Sequence, residues 1–384
     1  MIQVEKMKSL NRKTEKNRKV AIVHDALCVA GGAERVVLWM SEAYPEAPIY
    51  TSVYLPDQTF PEFKGKEIYT LPFSNLIKNE KQFKLLFPLW LMEFQKWDFA
   101  NYDTVLSSST YLAKYIHPTK GVRHKAYIYA PFRFLWKPES YTSDSIPTNR
   151  WTTTILRKLL PVFRNWDIQA TRKIPDVATS CQNMSREIKR IYNKPSVVIY
   201  PPISIKDYPL SSAQGEYFLT VSRLISHKKI DLAIEACNRL KKKLIVVGDG
   251  PEMDRLTRLA GDTVKFTGRV SDQKIKQLYQ NSLALIFPSH EDYGLVPLEA
   301  QACGKPVIAF GQGGVLETIK EGETGLFFSE QTVDSLEKAI NNFRVDDFSP
   351  QIIREWANRF NVEKFISDLR QFIGRKILDE DTIS

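Results

Sequence analysis

The chain has 384 residues, of which 43% are hydrophobic and 26% charged, a balance that excludes extensive disorder, and a length that points to two domains rather than one core. No apolar run approaches the roughly 20 residues of a membrane span, and the polar, basic opening MIQVEKMKSLNRKTEKNRK lacks the apolar stretch of a signal peptide, so a cytoplasmic protein is expected. The net charge of +10 is confined to the first half: residues 1–200 hold 30 Lys+Arg against 18 Asp+Glu, and residues 201–384 hold 24 against 26. A one-sided basic surface suits an anionic partner, whether membrane lipid, a phosphate-bearing substrate or nucleic acid, and a soluble basic domain is the plain alternative. Nucleic acid is disfavoured because the basic half shows no recognised binding motif. Four scattered cysteines, Cys28, Cys181, Cys237 and Cys303, lack metal or redox spacing and read as reduced thiols.

After a polar lead over residues 1–18, KVAIVHD reads as a short apolar strand, ALCVAGG as a loop and AERVVLWMSEAY as a helix, the opening of a parallel α/β unit. KQFKLLFPLWLMEFQKW mixes Lys with Trp, Phe and Leu, which suits a helix lying on an anionic membrane, with core packing as the alternative. YDTVLSSS, HKAYIYAP, VATSC and SVVIYPP follow as strands, and WTTTILRKLLPVFRNWDIQATRK is helical in pattern but interrupted at Pro161. The run VIYPPISIKDYPL, with Pro201, Pro202 and Pro209, has no period and reads as a linker. A first domain over 1–203 and a second over 204–345 are therefore expected, with a helical segment over 346–384 packing on either.

Beyond the linker, EYFLTVSRL, KKLIVVGDGP, TVKFTGRV, LALIFPS and KPVIAF alternate with helical stretches. This is the signature of a doubly wound parallel sheet, and runs such as LIVV and LALIF fit strands buried on both faces. The expected architecture is α/β, two Rossmann-like domains facing across a cleft. Ligands of such sheets sit beyond the carboxyl ends of the strands, so the loops after strands hold the candidate site residues.

Gly31 and Gly32 follow the first strand and open a helix, where backbone can approach an anion, although the spacing is not the dinucleotide fingerprint. A plain glycine turn explains them equally. Arg223 ends the first strand of the second domain and Lys228 lies five positions on, two cations able to neutralise a diphosphate or simply to solvate a loop. GQGG at 311–314 opens another helix. In PSHEDYGLVPLEAQACGKPV, Glu291 falls on the strand-end loop. Pro297 reads as the first helical position, Glu299 as a first-turn acid and Gly304 as the stop. The helix dipole alone would account for Glu299.

Taken together, Gly31-Gly32, Arg223 with Lys228, the E-x7-E of Glu291 and Glu299, and the GQGG loop resemble the retaining nucleotide-sugar glycosyltransferases of family four, which have the glycosyltransferase-B fold. SRLISHKKIDLAIEA, VVGDGPE, FTGRVSD and EDYGLVPLEAQACGKPVIAFGQGGVLETI carry the likeness, which runs from about Val20 to Phe328. The resemblance implies that Gly31 and Gly32 approach the donor diphosphate, and that Arg223 and Lys228 bind it and stabilise the leaving nucleotide. It implies Glu291 against the transferred sugar, the backbone of Gly294 and Leu295 near sugar hydroxyls or phosphate, Glu299 on the ribose, and Arg269 and Val270 near the base. No cofactor and no metal are expected, because the cations and backbone amides take the part of a divalent ion.

The chain departs from the family in HKAYIYAPFRFLW, where Tyr129 stands at the position of a histidine. Tyr129, His117 and Arg133 are therefore the acceptor-side candidates; Arg133 matches the pattern, and His117 also reads as an ordinary loop histidine. Similarity to bacterial O-antigen and polysaccharide mannosyltransferases implies GDP-mannose as donor, with a UDP-hexose as the alternative, and a lipid-linked or growing glycan as acceptor. Three rivals remain at this level. A glycoside hydrolase would place its carboxylates across the scissile bond, an epimerase would convert the donor alone, and a sugar-nucleotide sensor would bind without turnover.

Overall fold

A computed structural model describes residues 19–77, 87–136, 150–213 and 215–375, with the backbone alone described at residues 75, 87, 88 and 150–159. The polar lead and residues 81–86 of the amphipathic stretch lie outside the described residues. The chain divides into two compact units, residues 1–200 with 365–384, and residues 201–364.

The first unit contains β1 (Val20–His24), α1 (Gly32–Ala43), β2 (Ile49–Thr51), β3 (Ile68–Thr70), α2 (Phe87–Phe94), β4 (Thr104–Ser109), β5 (Arg123–Ile128), α3 (Arg133–Trp136), α4 (Arg150–Arg172), β6 (Asp176–Thr179), α5 (Gln182–Tyr192) and β7 (Val197–Val198). Its seven strands are all parallel, in the order β3-β2-β1-β4-β5-β6-β7. Alternation along β1 serves both faces of the sheet. Val20 and Ile22 pack with Val36, Val37 and Met40 of α1, while Ala21 and Val23 pack with Trp90, Phe94 and Phe99. The apolar stretch at α2 is two-sided: Trp90 and Phe94 are buried, Leu89 and Met92 exposed. The sequence pattern broke at Pro161, yet α4 runs through it as one helix.

The second unit contains β8 (Tyr217–Val221), α6 (Ile230–Leu240), β9 (Leu244–Val247), α7 (Met253–Leu259), β10 (Val264–Gly268), α8 (Asp272–Gln280), β11 (Ser282–Phe287), α9 (Val296–Ala302), β12 (Val307–Phe310), α10 (Val315–Thr318), β13 (Gly325–Phe328), α11 (Val333–Asn342) and α12 (Pro350–Asn358). Its six parallel strands run β10-β9-β8-β11-β12-β13. Phe218, Val246, Ile286 and Ile308 face one helical layer; Leu219, Val247, Leu285 and Ala309 face the other.

Two expectations change. The proline-rich segment is no free linker, because it is bonded into the second unit. Pro201 O accepts from the Tyr293 hydroxyl at 3.0 Å, Ile203 N donates to Phe360 O at 2.8 Å, and the Arg354 guanidinium is bonded to Ile205 O and Tyr208 O. The C-terminal helical pattern also divides. α12 belongs to the second unit, whereas α13 (Val362–Gly374) carries Phe365, Leu369, Phe372 and Ile373 into the core of the first.

Candidate functional site

In each sheet the order reverses once, between β1 and β4 in the first unit and between β8 and β11 in the second. At such a switch point the loops leave the strand ends in opposite directions and open a crevice.

In the second unit the loop after β8 is held by backbone. Leu224 N donates to Asp249 O at 2.9 Å and Glu252 N to Leu224 O at 3.0 Å. Gly248, at φ +132°, brings VVGDGP so close that a Cβ there would stand 1.8 Å from Ser222 O, which only glycine permits. Anchored by buried Leu224, Arg223 projects an exposed side chain with no ion-pair partner among the described residues. A tight turn over Ser226–Lys228 then precedes α6.

The loop after β11 answers it. Lys228 Nζ pairs with Glu291 Oε1 at 2.5 Å, and Ser289 Oγ donates to the same oxygen at 2.8 Å. The two charged side chains are 18% and 23% exposed, so the pair is desolvated on one side and open on the other. Backbone fixes Glu291 as well: it bridges Gly313, and Gly314 N donates to Glu291 O at 2.9 Å. Gly313 has φ +83°, and a Cβ there would lie 2.2 Å from Glu291 O. The GQGG loop thus packs against the carboxylate loop.

Gly294, at φ +83°, turns the chain into α9, with Leu295 at its cap, Pro297 in its first turn and Gly304, at φ +79°, beyond its end. Glu299 Oε2 accepts from the hydroxyl of buried Tyr279 at 2.7 Å, which fixes its carboxylate; burial, then Glu299, pushes the Tyr279 phenol well above its ordinary value. Arg269 is exposed just after β10, and Val270 packs on the core. The structure therefore brings Lys228 and Glu291 into direct contact, with Arg223 on the same loop as Lys228 and Glu299 on the helix that follows Glu291.

In the first unit Gly31 caps α1 with no side-chain capping bond, and Gly32 is its first residue. Tyr129 follows β5 and its hydroxyl donates to Ala33 O at 3.1 Å, with Ser108 Oγ at 3.0 Å. Burial raises its pKa, so it is no base. Arg133, partly exposed, opens α3. His117 is set apart from these residues. It precedes β5 at the opposite strand ends and lines a cavity of about 290 Å³ with His124 and Trp166. Chain direction explains the separation, since β5 spans 123–128 between the two positions.

Sequence reasoning missed three residues here. Asp25, directly after β1, is 2% exposed, and its carboxylate accepts from the backbone N–H groups of Thr110, Tyr111, Leu112 and Ala113 at 2.5–3.0 Å. His24 Nδ1 lies 3.1 Å from both Ser108 O and Ser108 Oγ, and its Nε2 lies 3.8 Å from Glu34 Oε1. The signal was an acid and a histidine closing an otherwise apolar strand, with Glu34 just after the two glycines. Among the described residues no group of three His, Cys, Asp or Glu side chains is placed to hold a metal ion.

Residues 204–359 match the family model of glycosyl transferases, group 1. The match covers nearly all of the second unit and agrees with the family that the motifs imply. An uncharacterized glycosyltransferase of Methanocaldococcus jannaschii is 27% identical over 50% of this chain and 56% of its own length. A GDP-mannose-dependent α-(1-6)-phosphatidylinositol monomannoside mannosyltransferase of Mycolicibacterium smegmatis is 31% identical over 33% of this chain and 38% of its own. The chain thus spans about half or less of these curated relatives. An α-1,3/1,6-mannosyltransferase of Dictyostelium discoideum aligns over 94% of this chain and 99% of its own length at 25% identity. Among solved structures, sucrose-phosphate synthase from Thermosynechococcus elongatus superposes with a TM-score of 0.71 over 93% of this chain and 98% of its own at 17% identity. Anabaena HepE in complex with UDP-glucose gives 0.67 over 93% and 99% at 18%. At these identities the shared property is the fold, that of the glycosyltransferase-B enzymes.

Proposed function

We propose that the chain is a retaining, metal-independent hexosyltransferase that moves mannose from GDP-mannose to a lipid-linked or growing glycan in cell-surface polysaccharide or lipopolysaccharide assembly. The observation that carries this reading is the Lys228–Glu291 pair at the β8/β11 switch point, with exposed Arg223 on the same loop as Lys228. As the glycosidic bond to a nucleoside diphosphate breaks, negative charge gathers on the leaving phosphate. Fixed cations placed where that charge develops lower the barrier without reorganising. Arg223 supplies a planar fork and Lys228 a point charge. Glu291 holds Lys228 through Oε1 and orients the sugar, Glu299 takes the ribose hydroxyls, and the backbone of Gly294 and Leu295 lies near sugar or phosphate. Arg269 and Val270 border the base. Gly31 and Gly32 are assigned to the diphosphate, and Tyr129 and Arg133 to the acceptor. Attack from the face the leaving group departs retains configuration, with no covalent intermediate and no cofactor.

The mannosyltransferase relatives favour GDP-mannose. A UDP-hexose donor is the second reading, favoured by the fold shared with a protein solved with UDP-glucose. A thermal-shift screen separates them, because a ligand of the folded state raises the melting temperature. Stabilisation by GDP and GDP-mannose over UDP forms is expected; the reverse order overturns the mannose donor and leaves the family reading standing. Conversion of donor sugar with no acceptor present would instead mark an epimerase.

The acceptor reading includes peripheral contact with the inner face of an anionic membrane. In the first unit Phe73, Leu76, Leu89 and Met92 are exposed apolar side chains in a strongly basic half. Among the described residues no helix is long and apolar enough to cross a membrane. Binding to anionic liposomes that weakens with salt is expected; binding to neutral liposomes alone would sink this contact.

A further inference from the structure

A buried histidine at the end of β1 has no part in the reaction as proposed. His24 is 1% exposed, and its hydrogen bonds fix where its hydrogens lie. Tyr129 OH donates to Ala33 O, so its single hydrogen is used. Ser108 Oγ, 3.0 Å away, then donates to Tyr129, and His24 Nδ1 donates to Ser108 O and Oγ at 3.1 Å. Nε2 is left on the other side of the ring, buried and without a hydrogen-bond partner among the described residues. It faces Glu34 Oε1 at 3.8 Å. A bare ring nitrogen there would set a lone pair against a carboxylate. A hydrogen on Nε2 makes the contact an imidazolium–carboxylate pair instead. Burial opposes that charge, but Glu34 and then Asp25 outweigh it and hold the His24 pKa above its ordinary value. Asp25 is itself saturated by the backbone of 110–113. From β4 and β5, Ser108 and Tyr129 bring no charge, so Glu34 is the partner that matters.

Glu34 in turn folds back over the start of its own helix. Its Oε2 lies 2.5 Å from where a Cβ on Gly31 would stand. The first N–H groups of α1, 12 residues long and without a side-chain cap, are a natural anion site. An uncompensated carboxylate at that spot would compete with any incoming phosphate.

We propose that His24 is a positioning residue for anion binding at Gly31–Gly32: its second ring hydrogen cancels the charge of Glu34 and leaves the start of α1 open to the diphosphate of a nucleoside diphosphate or its sugar ester. The proposal rests on the transferase reading and adds a first-unit determinant of donor affinity. A purely structural histidine would show no dependence on Glu34.

The test is a double-substitution cycle on the 384-residue chain, read by calorimetric titration with GDP and UDP. His24→Gln is expected to weaken binding about tenfold, and adding Glu34→Gln to restore it to within about threefold of the parent, since the opposing charge has gone. Equal affinity of His24→Gln and parent overturns the proposal, as does a double variant no better than His24→Gln. Should His24→Gln fail to fold, nitrogen-15 spectra of the histidine rings near pH 6, below the ordinary imidazole value, decide. Two protonated ring nitrogens on His24, one lost in Glu34→Gln, are expected; a neutral ring in the parent overturns it. A parent chain that binds neither GDP nor UDP overturns the donor reading, and this proposal falls with it.

Discussion

The two units solve the same geometric problem with opposite electrostatics. Each is an open parallel sheet with one switch point and a carboxylate in a loop after a central strand. In the first unit that carboxylate, Asp25, is buried and spent on four N–H groups of its own chain. In the second, Glu291 is partly exposed and pairs with Lys228, whose own loop also carries Arg223, a cation with no ion-pair partner among the described residues. A charge saturated by backbone shapes a loop; a charge left open to solvent at a strand end is placed for a ligand. Burial and partner count, rather than residue type, separate the two roles.

The sharpest way to break this comparison is to remove each charge in turn. Asp25→Ala strands four N–H groups over residues 110–113, those of buried Leu112 and Ala113 among them, and is expected to cost about 3–5 kcal/mol of stability, read as a drop in the denaturation midpoint. An unchanged midpoint would mean that Asp25 does not hold that loop. Arg223→Ala should do the reverse, leaving the melting temperature within a degree or so while turnover falls about 10²–10³-fold. The two glutamates refine the picture within the second unit. Glu291→Ala is expected chiefly to lower kcat and Glu299→Ala chiefly to raise the donor KM, each by roughly tenfold, or about 1.4 kcal/mol. Equal losses in both parameters for both variants would show that the division of labour is wrong.

The smallest effect distinguishes two buried histidines of the first unit. Burial, with His117 beside it, pushes His124 down to about 3. Its folded value lies below the unfolded one of about 6.5, so the stability from keeping it neutral is present above that pH and lost as pH falls toward 3. His24 is raised, so its contribution is present below about 6.5 and lost as pH rises through its folded value. Melting curves against pH should therefore lose part of the acid limb in His124→Gln and part of the alkaline limb in His24→Gln.

Much of this was legible in the sequence, for reasons the structure makes plain. LIVV and LALIF are buried on both faces, so their continuous apolar runs marked strands of the second unit, and the loops after them held Arg223, Lys228 and Glu291. β2 and β3 escaped notice because Ile49–Thr51 and Ile68–Thr70 are three residues each, too short for any period to show. β13 and α11, in TGLFFSEQTVDSLEKAINNF, were likewise not picked out. The helical C-terminal pattern concealed a break, between α12 and α13, at which the chain returns to the first unit. The His24–Glu34 contact was not legible, because it depends on which way two side chains turn at the end of β1 and the start of α1. His117 shows the converse error: it lies close to Tyr129 in sequence, but β5 carries the chain the length of the sheet between them.

The central claim is that Arg223 and Lys228 do for a nucleoside diphosphate what a metal ion does elsewhere. Its most direct test is calorimetric binding of GDP and UDP in the presence of EDTA, to the parent chain and to Arg223→Ala. Binding that persists in EDTA and weakens at least tenfold in Arg223→Ala is expected, the loss of one charge-assisted contact to phosphate. Binding that requires an added divalent cation, or that is unchanged without Arg223, would contradict it.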